Sequence, residues 1–208
     1  MLQSNEAASN IDLFNNLIPL AMMNKNVYVF LATGFEEIEA VATIDLLRRA
    51  GLSCVIVSVE ETLNVSGAHN VCVCADKHIS QVSINEAEAI ILPGGLPGVT
   101  NLNDCSQLRE LVASAHQSGI LVAAICAAPM ILGQLGILEG KRATTYPSFE
   151  PHLKGYIPSA QGVQIDGSVI TATSAGFTFD FALAIITHLL GEEAAASVAS
   201  GIIYSPRH

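Results

Sequence analysis

The chain has 208 residues, with 9 basic and 19 acidic side chains, a formal net charge of -10, half of its residues hydrophobic and only 13% charged. This balance fits a globular core with two covered sheet faces and excludes a disordered or fibrous chain, and the negative charge opposes direct nucleic acid binding. No apolar stretch reaches the ~20 residues needed to cross a bilayer, so no membrane contact is expected.

Residues 1–22 read as a leader, appended or disordered, because the first strand pattern starts directly after Asn24, Lys25 and Asn26. Residues 23–208 read as a single domain. Val27 to Ala32 is a nearly continuous apolar run, the pattern of a strand buried on both faces. Glu36 to Ala50 has helical spacing, with Ile38, Val41, Ala42, Leu46 and Ala50 as its apolar stripe and Gly51 as its stop. Cys54 to Val59 is the next strand. Leu63 to Ala75 is β-rich but interrupted by Ser66, Gly67 and Asn70, which suggests a hairpin-like excursion.

Ala89 to Leu92 returns to a buried strand that Pro93-Gly94-Gly95 ends. A helix follows through Leu108, Leu111, Val112 and Ala115, then a strand from Ile120 to Ile125, then helical spacing from Pro129 to Leu135. Ala143 to Tyr146 and Val169 to Thr173 are short strand candidates, the second preceded by the turn pair Asp166-Gly167. Phe179 to Leu190 reads as a helix with Phe181, Ala184, Ile185 and His188 near one face, and Glu192 to Ser200 as a last alanine-rich helix. Such alternation of strands and helices is the signature of a parallel sheet covered on both faces.

Five cysteines, Cys54, Cys72, Cys74, Cys105 and Cys126, form no CxxC or zinc pattern and predict free thiols in a reducing, cytoplasmic setting. Cys72 and Cys74 share a strand face and read as packed small hydrophobes rather than metal ligands. Cys126 is different. It ends an apolar strand, is flanked by Ala124, Ala127 and Ala128, and precedes a proline suited to a helix start. Small neighbours leave room for a strained strand-to-helix turn carrying a nucleophile, where backbone N–H groups should lower the thiol pKa. The segment by itself serves equally a packed strand-end cysteine.

Two further segments fall at strand ends. In Gly34 to Ala40 (GFEEIEA), Glu36 and Glu37 suit the positive end of a helix dipole, whereas Glu39 sits between Ile38 and Ala40, where a buried carboxyl with a raised pKa could donate a hydrogen bond to a thiolate. Pro93-Gly94-Gly95 can leave a backbone N–H pointing into a cavity, or be a plain loop. The order strand, GFEEIEA, strand, LPGG, strand, AAICAAP is more specific than any piece.

With these motifs, Leu46 to Gly51 (LLRRAG) and Phe179 to Ile185 (FDFALAI), the chain from about Val27 to about Leu190 resembles the ThiJ/PfpI superfamily, in the branch of the Parkinsonism-associated deglycase and its bacterial relatives. The resemblance implies an α/β fold, a flavodoxin-like three-layer sandwich with a mostly parallel central sheet and a cysteine nucleophile elbow. It also implies a homodimer, Cys126 as the reactive thiol, Glu39 as its protonated partner, and the N–H groups of Gly95 and Ala127 as oxyanion donors. No metal and no organic cofactor are implied.

The chain departs from the branch at three places. Tyr146 stands where members with strong glyoxalase-type activity carry histidine, Ala127 follows the cysteine where peptidase-like relatives have histidine, and Thr173 to Phe177 lacks a late arginine. His69 falls where a relative's arginine reaches the pocket, and also fits an ordinary polar hairpin residue. The resemblance therefore implies a thiol-dependent enzyme of low activity on small reactive carbonyls, such as methylglyoxal, or on their early adducts. The competing expectation is a redox sensor or oxidation-activated chaperone using the same Cys126.

Overall fold

The computed structural model describes residues 25–205, and the leader expected over residues 1–22 lies outside them. The first strand, β1 (Asn26–Leu31), is fully buried from Val27 to Leu31. Alternation explains how one strand serves two layers: Val27, Val29 and Leu31 enter one apolar cluster, Tyr28 and Phe30 the other. Each such side chain contributes about 1.5–3 kcal/mol on leaving water.

β1 pairs in parallel with β2 (Ser53–Ser58) on one side and β6 (Ala87–Leu92) on the other. Beyond β6 the sheet continues in parallel through β7 (Leu121–Ile125) and β11 (Val169–Ala172), and ends on the antiparallel β10 (Val163–Asp166). With the short β5 (Lys77–His78) beside β2, the seven-stranded order is β10-β11-β7-β6-β1-β2-β5. One layer over the sheet holds α1 (Glu37–Arg49), α5 (Thr178–Leu190) and α6 (Glu192–Gly201). The opposite layer holds α2 (Gly98–Asp104), α3 (Ser106–Gln117) and α4 (Pro129–Gln134). This is the flavodoxin-like three-layer sandwich. Because β2 and β6 flank β1, the chain reverses its winding there, and a crevice opens at the carboxyl ends of β1 and β6. No described helix is long and apolar enough to cross a membrane.

Several sequence expectations are corrected. The buried face of α1 is Glu39, Ala40, Thr43, Ile44, Leu46 and Leu47, so Ile38 and Val41 face outward at 55% and 44% exposure. The apolar residues of α1 are spread around the helix, and the fit to the sheet selected the face that carries a carboxyl. Cys72 and Cys74 are exposed rather than packed. They lie on β4 (Cys72–Cys74), which pairs with β3 (Asn64–Ser66) as a ribbon outside the main sheet and packs through Val65 and Val73.

Val163 to Asp166 forms an edge strand that the sequence reading missed, turning through Gly167 at φ 60° into β11. The strand expected over 143–146 shrinks to β8 (Arg142–Ala143), paired with β9 (Ile157–Pro158) apart from the main sheet. Thr144, Thr145 and Tyr146 instead bond to neighbouring segments, as described below. His188 is exposed although it follows the apolar spacing of α5, whose buried face runs through Phe181, Ala182, Ile185 and Ile186.

Candidate active site

Cys126 follows β7 directly and has φ 65°, a left-handed conformation that costs a non-glycine residue roughly 1–2 kcal/mol. Three hydrogen bonds hold it there. Its N–H donates to Ala172 O at 2.9 Å, and its carbonyl accepts from Tyr146 N at 2.8 Å and from Thr145 Oγ1 at 2.9 Å. Ala127 and Ala128 are buried behind it, and Pro129 opens α4. A backbone tied at three points while strained is the arrangement expected where a side chain must be aimed.

Glu39 is aimed at the same place from the other layer. Glu36 caps α1 by accepting the Glu39 N–H at 2.7 Å, which sets Glu39 in the first turn. Side chains of a helix tilt toward its N-terminus, so the carboxyl projects back to the carboxyl edge of the sheet. There Oε2 accepts the Gly94 N–H at 2.7 Å, while Oε1 is buried without a hydrogen-bond partner. Gly94 is the spacer between the two groups: a Cβ on it would lie 2.6 Å from Cys126 Cβ and 2.6 Å from Glu39 Oε2. Gly95 has φ 93° and packs against the backbone of Gly34, Phe35 and Glu36.

The electrostatics couple the pair. Burial pushes Glu39 up to about 7, opposed by the Gly94 N–H and by the neighbouring thiol. Burial and then the Glu39 charge push the Cys126 thiol up to about 12, while the N–H groups of Ala127 and Gly95 point at sulfur and favour its ionised form. The lowered thiol pKa expected from sequence is thus reversed. Desolvation and a carboxylate outweigh two backbone dipoles when Glu39 is charged. The thiol acts on the Glu39 titration without completing a hydrogen bond to Oε1. A proton moved from the thiol to Oε1 would give this orphaned atom a role as donor to the thiolate.

Tyr146 reaches the elbow through its backbone. Its side chain is 45% exposed and meets the edge of Phe149, with no hydrogen bond to the thiol among the described residues. His69 lies further out, at the tip beyond β3. Its Nδ1 is 2.8 Å from Glu37 Oε2, and its N–H donates to Glu37 Oε1 at 2.6 Å. Glu36, Glu37 and His69 form a cluster at the rim, with the two carboxylates half-buried and His69 exposed. The sequence reading did not find Gly94 as the spacer, nor Thr145 and Ala172 as anchors of the elbow. Pro93-Gly94-Gly95 carried the signal for Gly94, but a glycine's role as spacer depends on what packs on each side.

Comparisons with known proteins place the chain in a family. The sequence profile of the DJ-1/PfpI family matches residues 25–188. Protein DJ-1 homolog A of Arabidopsis thaliana is 39% identical over 190 residues, 90% of this chain, which spans about half (48%) of that relative's length. The glutathione-independent glyoxalase DJR-1.2 of Caenorhabditis elegans is 35% identical over 76% of this chain and 84% of its own. An oxidised DJ-1 from Toxoplasma gondii superposes with a TM-score of 0.83 and 37% identity, covering 87% of this chain and 99% of that one. An elbow cysteine, a carboxyl from the first helix and a glycine pair after β6, on a sheet of this order and with matches of this length, establish that the chain belongs to the DJ-1/PfpI family.

Proposed function

We propose that the protein is a cofactor-independent, thiol-dependent enzyme of glyoxalase or deglycase type, acting on small reactive carbonyls or their early adducts. The observation that carries this reading is the strained Cys126, with the Gly95 and Ala127 N–H groups aimed at its sulfur and the buried Glu39 carboxyl beside it. The likeness to a nematode glyoxalase supports it. In this mechanism the Cys126 thiolate adds to the aldehyde carbon of methylglyoxal, and the resulting oxyanion is held by the two N–H groups. Glu39 carries the proton that moves from the former aldehyde carbon to the neighbouring one, leaving a thioester that water cleaves to lactate and free thiol. Water is the only co-reactant, and no net oxidation occurs.

A second reading is favoured by one observation. The orphaned Oε1 of Glu39 beside Cys126 would donate equally well to a sulfinate, as in a peroxide sensor or oxidation-activated chaperone. Lactate formation from methylglyoxal separates the two: the enzyme loses turnover on Cys126→Ser, whereas a sensor shows peroxide-dependent change with no turnover to lose.

Turnover is expected to be slow, because a phenol is a poorer base near neutrality than an imidazole. Tyr146→His should raise kcat/KM about tenfold or more, against the ~10² to 10⁴ that a fully engaged general acid-base group contributes. A native protein that already turns over quickly, and slows on both Tyr146→His and Tyr146→Phe, would show Tyr146 to be a working catalytic group instead.

We also propose a homodimer in a reducing, cytoplasmic setting, where five free cysteines persist. Ile38 and Val41 offer the apolar surface, joined by Val71 at 52% exposure, whose N–H donates to Glu37. Light scattering should report about twice the 21.8 kDa chain mass, and Ile38→Lys with Val41→Lys should return it to one chain. A single-chain mass for the native protein would end this proposal.

A further inference from the structure

Beside the elbow, a cleft of about 270 Å3 is lined by Thr144, Thr145, Glu150, Tyr156, Ser159 and Thr173, with Ala143, Pro158 and Ala160 as its apolar wall. Its hydrogen-bonding capacity can be worked out atom by atom. Thr173 Oγ1 donates to Gly162 O at 3.2 Å, so in its 3.0 Å contact with Thr144 Oγ1 it must accept, and Thr144 spends its only hydroxyl hydrogen there. Thr145 spends its own on Cys126 O. Both threonines are more than nine-tenths buried and keep lone pairs open. Ser159 Oγ accepts from Gln161 N at 3.2 Å and retains its hydrogen. The half-buried Tyr156 hydroxyl makes no hydrogen bond among the described residues, and burial, then the charge of the nearby Glu150 carboxylate, pushes its titration up.

The cleft therefore offers two uncommitted O–H donors, on Tyr156 and Ser159, and acceptors on Thr144, Thr145 and Glu150. An ammonium ligand only donates and would leave both hydroxyl hydrogens unmet. A phosphate or carboxylate only accepts, would meet the Glu150 charge, and finds no Lys or Arg in the lining. A hydroxyl group donates and accepts at each point. The volume, just under the ~300 Å3 at which drug-sized sites begin, limits the occupant to a few carbons.

We propose that this cleft is a binding site for a small neutral polyhydroxylated molecule, separate from the thiol and joined to it through Thr145 and the Cys126 carbonyl. The site does not depend on the carbonyl chemistry proposed above, since neither Cys126 nor Glu39 lines it.

Erythritol titrated into the full chain and followed by amide NMR shifts tests the proposal, with ethanolamine and glycerol phosphate as charged comparators. Saturable shifts at Thr145, Tyr156 and Ser159 are expected with erythritol, in the native protein and in Cys126→Ser alike. Ser159→Ala, which removes one oxygen from a partly exposed segment, should weaken binding about fivefold, as should Tyr156→Phe. Glu150→Gln should weaken it about tenfold. No saturable shift, tighter binding of either comparator, unchanged affinity in Ser159→Ala, or loss of binding in Cys126→Ser would each overturn it.

Discussion

Glu39→Gln is expected to raise the free energy of unfolding by about 3 kcal/mol above pH 7 and to change it little at about pH 4. Glu39 is 1% exposed and its carboxyl is held up at about 7 against an ordinary value of 4.5. Below 4.5 the carboxyl is protonated in the folded and unfolded chains alike, and nothing is lost. Between 4.5 and about 7 the unfolded chain gives up its proton while the folded chain keeps it, so stability falls as pH rises and levels off above that window. Glutamine has the same shape, can accept the Gly94 N–H and carries no charge to desolvate. Urea unfolding of both proteins across pH 4 to 9 checks this; parallel curves would mean that Glu39 is not buried as a costly carboxylate. The same substitution removes the proposed proton carrier, so turnover should fall by about 10² or more. A gain in stability with a loss of activity is the signature of a group kept for chemistry.

Gly94→Ala is the second substitution with a large expected effect. The added methyl would sit 2.6 Å from both Cys126 Cβ and Glu39 Oε2, and neither can yield freely. Cys126 is fixed by its three backbone hydrogen bonds, and Glu39 by the Gly94 N–H itself. The thiol and carboxyl must separate, and a displacement near 1 Å can cost about 10² in rate. Overpacking should also lower stability by about 1–3 kcal/mol. Gly201→Ala is the matched control, because a Cβ there meets nothing within 4 Å. It should leave turnover unchanged and stability within about 0.5 kcal/mol. If Gly94→Ala retains native turnover and melts with the control, the close fit of the two groups has no catalytic consequence.

The rim cluster of Glu37 and His69 shows how local charge and site chemistry differ. Glu37 accepts three donors from the tip beyond β3, the His69 N–H and ring and the Val71 N–H, and these hold its carboxyl below the ordinary value despite some burial. The same contact raises His69. Glu39, two residues on, is pushed the opposite way because its burial outweighs what the Gly94 N–H and the neighbouring thiol return to the charged form. Adjacent carboxylates of one motif thus divide into an anchor for a loop and a buried acid.

Much of the fold is legible in the linear order of residues. The nearly continuous apolar runs over Val27 to Ala32, Cys54 to Val59 and Ile120 to Ile125 define central strands because only a two-faced burial tolerates them. The elbow is legible because a strained turn excludes bulky neighbours, and Ala127, Ala128 and Pro129 are the residues that remain. What tertiary structure decided is which groups meet. Helical periodicity in α1 favoured Ile38 and Val41 as the inner face, yet packing on the sheet turned Glu39 and Thr43 inward, since periodicity measures where apolar residues cluster and not which neighbour covers them. The edge strand β10 escaped notice because a half-exposed edge needs no continuous apolar run. The thiol pKa went the other way from the local expectation for the same reason: backbone dipoles belong to the segment around Cys126, but the burial and the Glu39 charge that outweigh them come from β6, α1 and the sheet beneath, which are brought together only when the chain folds.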